Sequence, residues 1–333
     1  MPCRRRRTAA DSPAGTGRTH SKIPQLHVGA GTTVGPITIF PVWTAGAGRL
    51  GISTGLKADI AVSELTSGAR VGNLTIRNNG KTNALLLEGE LLEGGQQHRT
   101  CARDVLVGPG ESMDIETFCV EAGRWQAGQN IHSRLARRAP LNVRAELAYA
   151  GAGPGRDSQA QIWERVRRFD AARGPSATSS LPEHLDRFGG DRRHRSVPQI
   201  PEYLEGQRGV VIGMAGQPLL LEVFGTATLF RRHYRQLIEA VLLDAELLPG
   251  WAQNAPPLPG QAARDLAALA GPMDFGEFYG GDVRRHDTMR SRNISGTRGP
   301  VRASGIAVVL PHREPEIVHV SYWNTNHSLM EAA

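Results

Sequence analysis

Two short polar stretches carry the residues of this sequence best equipped for chemistry. The first, LLLEGELLEGGQQHR at residues 85–99, places three carboxylates, Glu88, Glu90 and Glu93, after an apolar run. It ends on Gln96, Gln97, His98 and Arg99. Carboxylates so close to leucines must be solvated or paired, and amides beside a guanidinium fork suit an anion or a sugar hydroxyl. On a regular strand Glu88 and Glu90 share one side, opposite Leu87 and Leu91, and face either a pocket or a solvated sheet edge. The second stretch, TFCVEAGRW at residues 117–125, continues an inward row of Met113, Ile115, Thr117 and Cys119 and closes it on Glu121. At the rim of a core, burial pushes the Glu121 carboxyl up and a guanidinium such as Arg99 or Arg124 pushes it down. Cys119 on an apolar row reads as an inert buried thiol, or as a nucleophile if His98 activates it. Trp125 either packs in the core or stacks on a flat ring.

These residues must be positioned by strands. From Val28 to Val120 the apolar pattern has period two and is interrupted every ten residues or so by Gly, Asn or Pro, which builds sheet. Strands are expected at 37–43, 61–65, 73–78, 85–92, 104–107 and 113–120, with Asn79-Gly80 suiting a tight hairpin turn. From His132 the spacing of Leu135, Leu141, Val143 and Leu147, broken at Pro140, predicts short helices. A helix is expected over 158–172, where Ile162, Val166 and Phe169 share a face, and a loop over 174–199. The run GVVIGMAGQPLLLEVFG (209–225) reads as a hairpin, followed by a helix over 228–248 and a short helix to Leu269. A second hairpin-like pair spans 304–323. The chain therefore divides into a basic tail (1–25), a β-rich region with the polar cluster (26–130), a helical and linker region (131–208), a hairpin-helix-hairpin region (209–325) and a tail (326–333). The fold class is α+β: an antiparallel β-rich N-terminal part, then helices, then the hairpin-helix-hairpin unit.

Other motifs fail in context. Gly46, Gly48 and Gly51 match G-x-G-x-x-G after a strand, but the following ISTGLKADIAV has no helical stripe to hold a pyrophosphate. Gly80-Lys81-Thr82 resembles the end of a P-loop, yet Thr75 stands where its first glycine belongs. His98, His132, His286, His312 and His319 are scattered without metal-ligand spacing, and G-x-S-x-G is absent.

The net charge of +7 over 333 residues suggests a nucleic-acid partner until it is located. The tail carries +5, through Arg4 to Arg7, Arg18 and Lys22 against Asp11, and the rest only +2. A near-neutral body argues against binding a phosphate backbone except through the tail, whose low apolar content predicts disorder. Only three of the 39 cationic residues are lysines, a skew that fits coding bias. Three widely spaced cysteines, no apolar leader and no stretch of about 18 apolar residues point to a reducing cytoplasmic setting without a membrane span.

The two polar stretches, with the helix around 162–169, the hairpin at 209–225 and the terminal hairpin at 305–323, resemble in order and spacing a bacterial family. That family is named for its association with ADP-ribosylglycohydrolases and rhodanese-phosphatase proteins. Its pattern, Glu-x-x-x-Gly-x-x-Gln-Asn-Arg and Cys-x-Glu-x-Gly-Arg-Trp, falls on Glu90, Gly94, Gln97, His98 and Arg99, then Cys119, Glu121, Gly123, Arg124 and Trp125. His98 stands where the family has Asn, which argues against an imidazole general base. The resemblance implies a link to NAD and ADP-ribose metabolism without a stated reaction. On that implication Glu90 and Glu121 are the catalytic candidates, accepting ribose hydroxyls or moving a proton. Gln97, His98, Arg99, Arg124 and Trp125 bind a nucleotide-like small molecule. The alternative is a non-catalytic interaction or scaffold module whose Glu and Arg residues knit the sheet through buried ion pairs. The sequence names no cofactor, and whether the chain is an enzyme stays open.

Overall fold

Alternating apolar residues build most of this protein as antiparallel strands, arranged around two centres. The computed structural model describes residues 23–330 except 47, 69, 71, 125–129, 149–156, 195–198, 277–282, 287 and 288, and only the backbone of 192–194. Residues 1–22 of the expected basic tail and Trp125 lie outside the described residues.

The first centre is a closed barrel of six strands, in the order Ser112–Cys119, Asn73–Asn78, Ile60–Ser63, Ile131–Arg138, Glu90–Gly94 and Arg99–Cys101. Leu74, Ile76, Leu92, Cys101 and Ile115 fill its interior together with Val62. A small sheet beside it pairs Val105–Val107 with Asn83–Leu86, which in turn runs parallel to Ile52–Thr54. The second centre is a nine-stranded sheet. Its core path runs Ile37–Thr44, Gly209–Met214, Gln217–Phe224, Glu316–Asn324, Val301–Val309 and Arg290–Arg298. The early strand Ile37–Thr44 thus belongs to the same sheet as residues 209–324, across the division expected at residue 130. The architecture is α+β, with helices covering both centres. Ala227–Asp244 packs Phe230, Leu237, Ile238 and Val241 into the larger core, and Thr226 caps it by accepting from the Leu229 amide at 3.1 Å. Gly260–Ala270 covers the other side of the sheet with Ala263 and Leu266.

Four local expectations need correction. Residues 85–92 are not one strand: Gly89, at φ +77°, breaks the run into Asn83–Leu86 and Glu90–Gly94, because only glycine takes that turn without strain. Asn79-Gly80 does turn the chain, with the Gly80 amide donating to Asn78 Oδ1 at 2.9 Å, but no hairpin forms. Asn73–Asn78 pairs with Ile60–Ser63 and Ser112–Cys119, whereas Asn83–Leu86 enters the small sheet. The helices expected from His132 begin only at Leu141, because Ile131–Arg138 is a barrel strand. Its polarity is inverted: His132, Arg134 and Arg138 turn toward buried acids while Ile131 and Leu135 face outward, so its pattern mimics neither a strand nor a buried helix. Finally, the expected loop at 174–199 contains the helix Leu181–His194, whose Leu181, Leu185 and Phe188 anchor it to the core despite interspersed charge.

Candidate functional site

The two polar stretches meet because their strands are antiparallel neighbours. Arg99–Cys101 pairs with Ser112–Cys119 in the register Cys119 to Arg99 and Thr117 to Cys101, which carries Gln97 and His98 past the end of one strand to Glu121 beyond the end of the other. Gly94 and Gly95, at φ +111° and +52°, bend the intervening loop back over this junction.

Glu121 is the centre of the resulting cluster. Arg124 Nε donates to both of its carboxylate oxygens at 3.0 Å, Thr178 Oγ1 donates to Oε1 at 2.6 Å, and the His98 amide donates to Oε2 at 3.0 Å. Burial would raise this carboxyl, but these donors together hold it below the usual carboxylate range. The other Arg124 nitrogens donate to the Gly95 and Gly94 carbonyls at 2.9 and 3.2 Å. Gln97 bridges inward: its amide donates to the Glu121 carbonyl at 3.0 Å, and its Oε1 accepts from Arg99 Nη1 at 2.9 Å. His98 Nδ1 accepts from the Gly94 amide at 2.9 Å, which leaves Nε2 as the protonated nitrogen, 3.7 Å from Glu121 Oε2. Burial pushes the His98 pKa down, so the ring is neutral near neutral pH. The Cys119 thiol donates to the Glu121 carbonyl at 2.9 Å, not to His98, and burial raises its pKa. Gln159 clasps the Cys119 backbone, accepting from its amide and donating to its carbonyl, both at 2.8 Å. This geometry leaves the thiol protonated and without a base.

Glu90 does not join this cluster. Arg134 Nε and Nη2 donate to its Oε1 at 3.0 and 2.5 Å, and the Leu87 amide to its Oε2 at 3.3 Å. Among the sequence-expected residues, then, Gln97, His98, Arg99, Cys119, Glu121 and Arg124 come together, Glu90 is paired elsewhere, and Trp125 lies outside the described residues. Behind Thr178, Asp170 accepts from Ser179 Oγ at 2.5 Å and faces His184 Nε2 at 2.9 Å. The aspartate is the middle member, so the imidazole does not take the serine proton and no nucleophilic relay is formed.

A larger charged cluster lies between the small sheet, the barrel end and the nine-stranded sheet. His319 is held between Asp104 Oδ2 at 2.6 Å and Glu222 Oε2 at 2.7 Å. Glu222 Oε1 in turn faces Arg144 Nη2 at 2.8 Å and Arg138 Nη1 at 3.1 Å. Glu88 accepts from Ser304 Oγ at 2.5 Å and lies 3.6 Å from Arg144 Nε, while its amide donates to Asp104 Oδ1 at 2.7 Å. Every charged side chain here is buried. With both ring nitrogens facing carboxylates, His319 is held as imidazolium, its pKa raised by Asp104 and Glu222 against the opposing effect of burial. Burial also opposes Glu222, yet Arg138, Arg144 and His319 hold it well below the usual range. Three carboxylates thus meet three cations. The sequence signal for them was a lone charge inside an apolar run, as in LLLEVF and IVHVSYW, which marks a charge that must find a buried partner.

Open space lies elsewhere. A cleft of about 820 Å³ runs between Leu181–His194, Ala227–Asp244 and the end of Ile131–Arg138, with Leu185, Phe188 and Ile200 in its lining and Arg137, Asp186 and Glu239 among its polar residues. A second, of about 700 Å³, separates the barrel strand Ser112–Cys119 from Arg290–Arg298. Among the described residues no group of three or more His, Cys, Asp or Glu side chains converges to hold a metal ion, and no helix is long and apolar enough to cross a membrane.

The model of the ARG and Rhodanese-Phosphatase-superfamily-associated Protein domain, ARPP-1, matches residues 25–323. The chain belongs to this family. No curated protein and no solved structure matches it. The ARPP-1 match runs from the first strand of the large sheet through Trp323, so it takes in both the Glu121 cluster and the His319 cluster.

Proposed function

We propose that this protein is a non-catalytic interaction module whose Glu and Arg residues hold two β structures together and leave binding to its open surfaces. The observation that carries this reading is the saturation of the two expected catalytic acids. Glu121 is taken up by Arg124, Thr178 and the His98 amide, and Glu90 by Arg134 and the Leu87 amide. A general acid or base needs an approach for the group it serves, and neither carboxylate, each 2 % exposed, offers one.

A second reading, binding of an NAD- or ADP-ribose-derived small molecule at the Glu121 cluster, has one observation in its favour. The His98 and Arg124 side chains keep 22 % and 26 % of their surface open, so a pyrophosphate meeting the Arg124 guanidinium would have a route to the rim. Isothermal titration with ADP-ribose, NAD and AMP separates the two, using wild type, Glu121→Gln and Arg99→Ala checked for folding by circular dichroism. The interaction-module reading expects no heat from any of the three. Saturable heat in wild type that disappears in folded Glu121→Gln overturns it in favour of the small-molecule site.

A further inference from the structure

Between the short helix Gly250–Gln253 and the helix Gly260–Ala270 the chain runs Ala255-Pro256-Pro257-Leu258-Pro259. Three prolines in four residues fix three φ angles, and Ala255, Pro256 and Leu258 each precede a proline, which drives them into extended backbone. The stretch is accordingly neither helix nor strand, and Pro259 stands at φ −62° and ψ 140°, the values of a left-handed polyproline II helix. One residue pins it to the body. Leu258 is 3 % exposed and joins Phe40 and Ala263 in the core on that side of the large sheet. Its amide donates to Thr38 Oγ1 at 3.0 Å, and its side chain fills the space that a Cβ on Gly213 would need. Pro256, Pro257 and Pro259 are all exposed. With three residues per turn, Pro256 and Pro259 share one edge about 9 Å apart while Leu258 turns inward. Trp251, 71 % exposed, stands on the helix that leads into the run.

We propose that residues 255–259 form a docking ridge for a partner domain whose groove is walled by aromatic side chains. This rests on reading the protein as an interaction module and names both the surface and the kind of partner. A polyproline II segment presents rigid pyrrolidine rings at a three-residue repeat, and aromatic walls spaced to receive them are the complementary surface. The ordering cost of such a complex is low, because the prolines lock φ and the Leu258 anchor is already set when the chain folds. Leu258 alone is enough to hold the connection between the two helices, so the exposed edge of Pro256 and Pro259 is left for a guest. Other partners fit the run less well. Prolines have no N–H to offer, so it cannot add as a strand to a sheet edge. Residues 254–260 carry no charge, so a phosphate finds no cation there.

The test is isothermal titration of the full chain with two isolated probes, a WW domain and an SH3 domain, both of which read polyproline II segments through aromatic grooves. Saturable heat is expected with at least one of them. Pro256→Ala and Pro259→Ala should each weaken that binding by about tenfold, in line with losing one packed contact. Pro272→Ala, at an exposed proline outside the run, should leave it unchanged. Nuclear magnetic resonance on the labelled probe supplies a readout independent of the variants: its shifts should centre on the aromatic groove. A free peptide of residues 253–262 should bind no tighter than the folded chain. Absence of binding to both probes, undiminished binding by both proline variants, or shifts confined to another face of the probe each overturns the proposal. Binding by the peptide but not by the folded chain also overturns it, because the buried Leu258 would then close the ridge. The nucleotide titration above reads Glu121 rather than these prolines, so failure of both probes leaves the interaction-module reading to be judged on its own result.

Discussion

The Glu121 cluster and the His319 cluster are built from the same residue types and differ in access to water. Around Glu121 a single guanidinium, a hydroxyl and the His98 backbone amide surround one carboxylate, and two of the partners, His98 and Arg124, reach solvent. Around His319 three acids and three cations are enclosed, drawn from the barrel side and from the large sheet alike. Charge at the first is a local clasp on a loop. Charge at the second is a joint between two β structures, where removing one member strands the others away from water.

That contrast is open to measurement. The largest effect belongs to Glu222→Gln, which leaves Arg138, Arg144 and His319 short of their shared anion; urea unfolding should show a loss of about 3–5 kcal/mol. Glu121→Gln keeps the shape and lets water reach Arg124, so its loss should be about 1–2 kcal/mol. Equal losses would erase the distinction. Glycine comes next. Gly89→Ala at the joint and Gly95→Ala at the loop both force a side chain into left-handed backbone, and the new methyl meets Arg144 in the one and His132 in the other. Each should cost about 1–3 kcal/mol, because Arg144 and His132 are both buried and neither has solvent into which to retreat.

The pH dependence of stability separates the clusters by sign. Glu222 is depressed in the folded state, so its contribution is present above the unfolded value near 4.5 and is lost as pH falls through the lower folded value. His319 is raised, so its contribution is full below about 6.5 and is lost as pH rises through the raised folded value. Glu121 is also depressed and adds only an acid limb, and neutral His98 adds no gain on protonation. Thermal melts should therefore show an alkaline decline in wild type that persists in Glu121→Gln and is absent in His319→Asn. The smallest difference is at Asp244, whose carboxylate caps Leu141–Leu147 through the Leu141 and Asn142 amides at 2.6 and 3.1 Å, and which burial lifts to about 7. A raised acid loses stability as pH climbs from about 4 to 7, so Asp244→Asn, which keeps an acceptor, should flatten the curve in that window.

How much of this was legible in the sequence follows from what each residue's neighbours reveal. The row Ile115, Thr117, Cys119 and Glu121 was readable, because one face of that strand is buried and its alternation is intact. The helix Ser158–Arg173 was readable from Ile162, Val166 and Phe169. The meeting of Gln97, His98 and Arg99 with Glu121 runs through the strand Arg99–Cys101, which at three residues is too short to show alternation and was not among the expected strands. What stayed hidden were the long-range partners. Arg138 and Arg144 look like surface charge until Glu222 and His319 arrive from the far end of the chain, and Ile131–Arg138 inverts the usual polarity because its buried neighbours are acids. Glu88 and Glu90 were assigned to one face because Gly89 was read as part of a strand, when its positive φ sends Glu88 to Arg144 and Glu90 to Arg134.

The strand Ile37–Thr44 is flanked by Leu26–Val28 on one side and Gly209–Met214 on the other, with the last strand of the sheet ending at Asn324. During synthesis this early segment leaves the ribosome with half of its hydrogen-bonding partners still untranslated. Closure over so long a stretch is slow, and until Gly209–Met214 arrives the apolar residues of this strand stay open to misassociation.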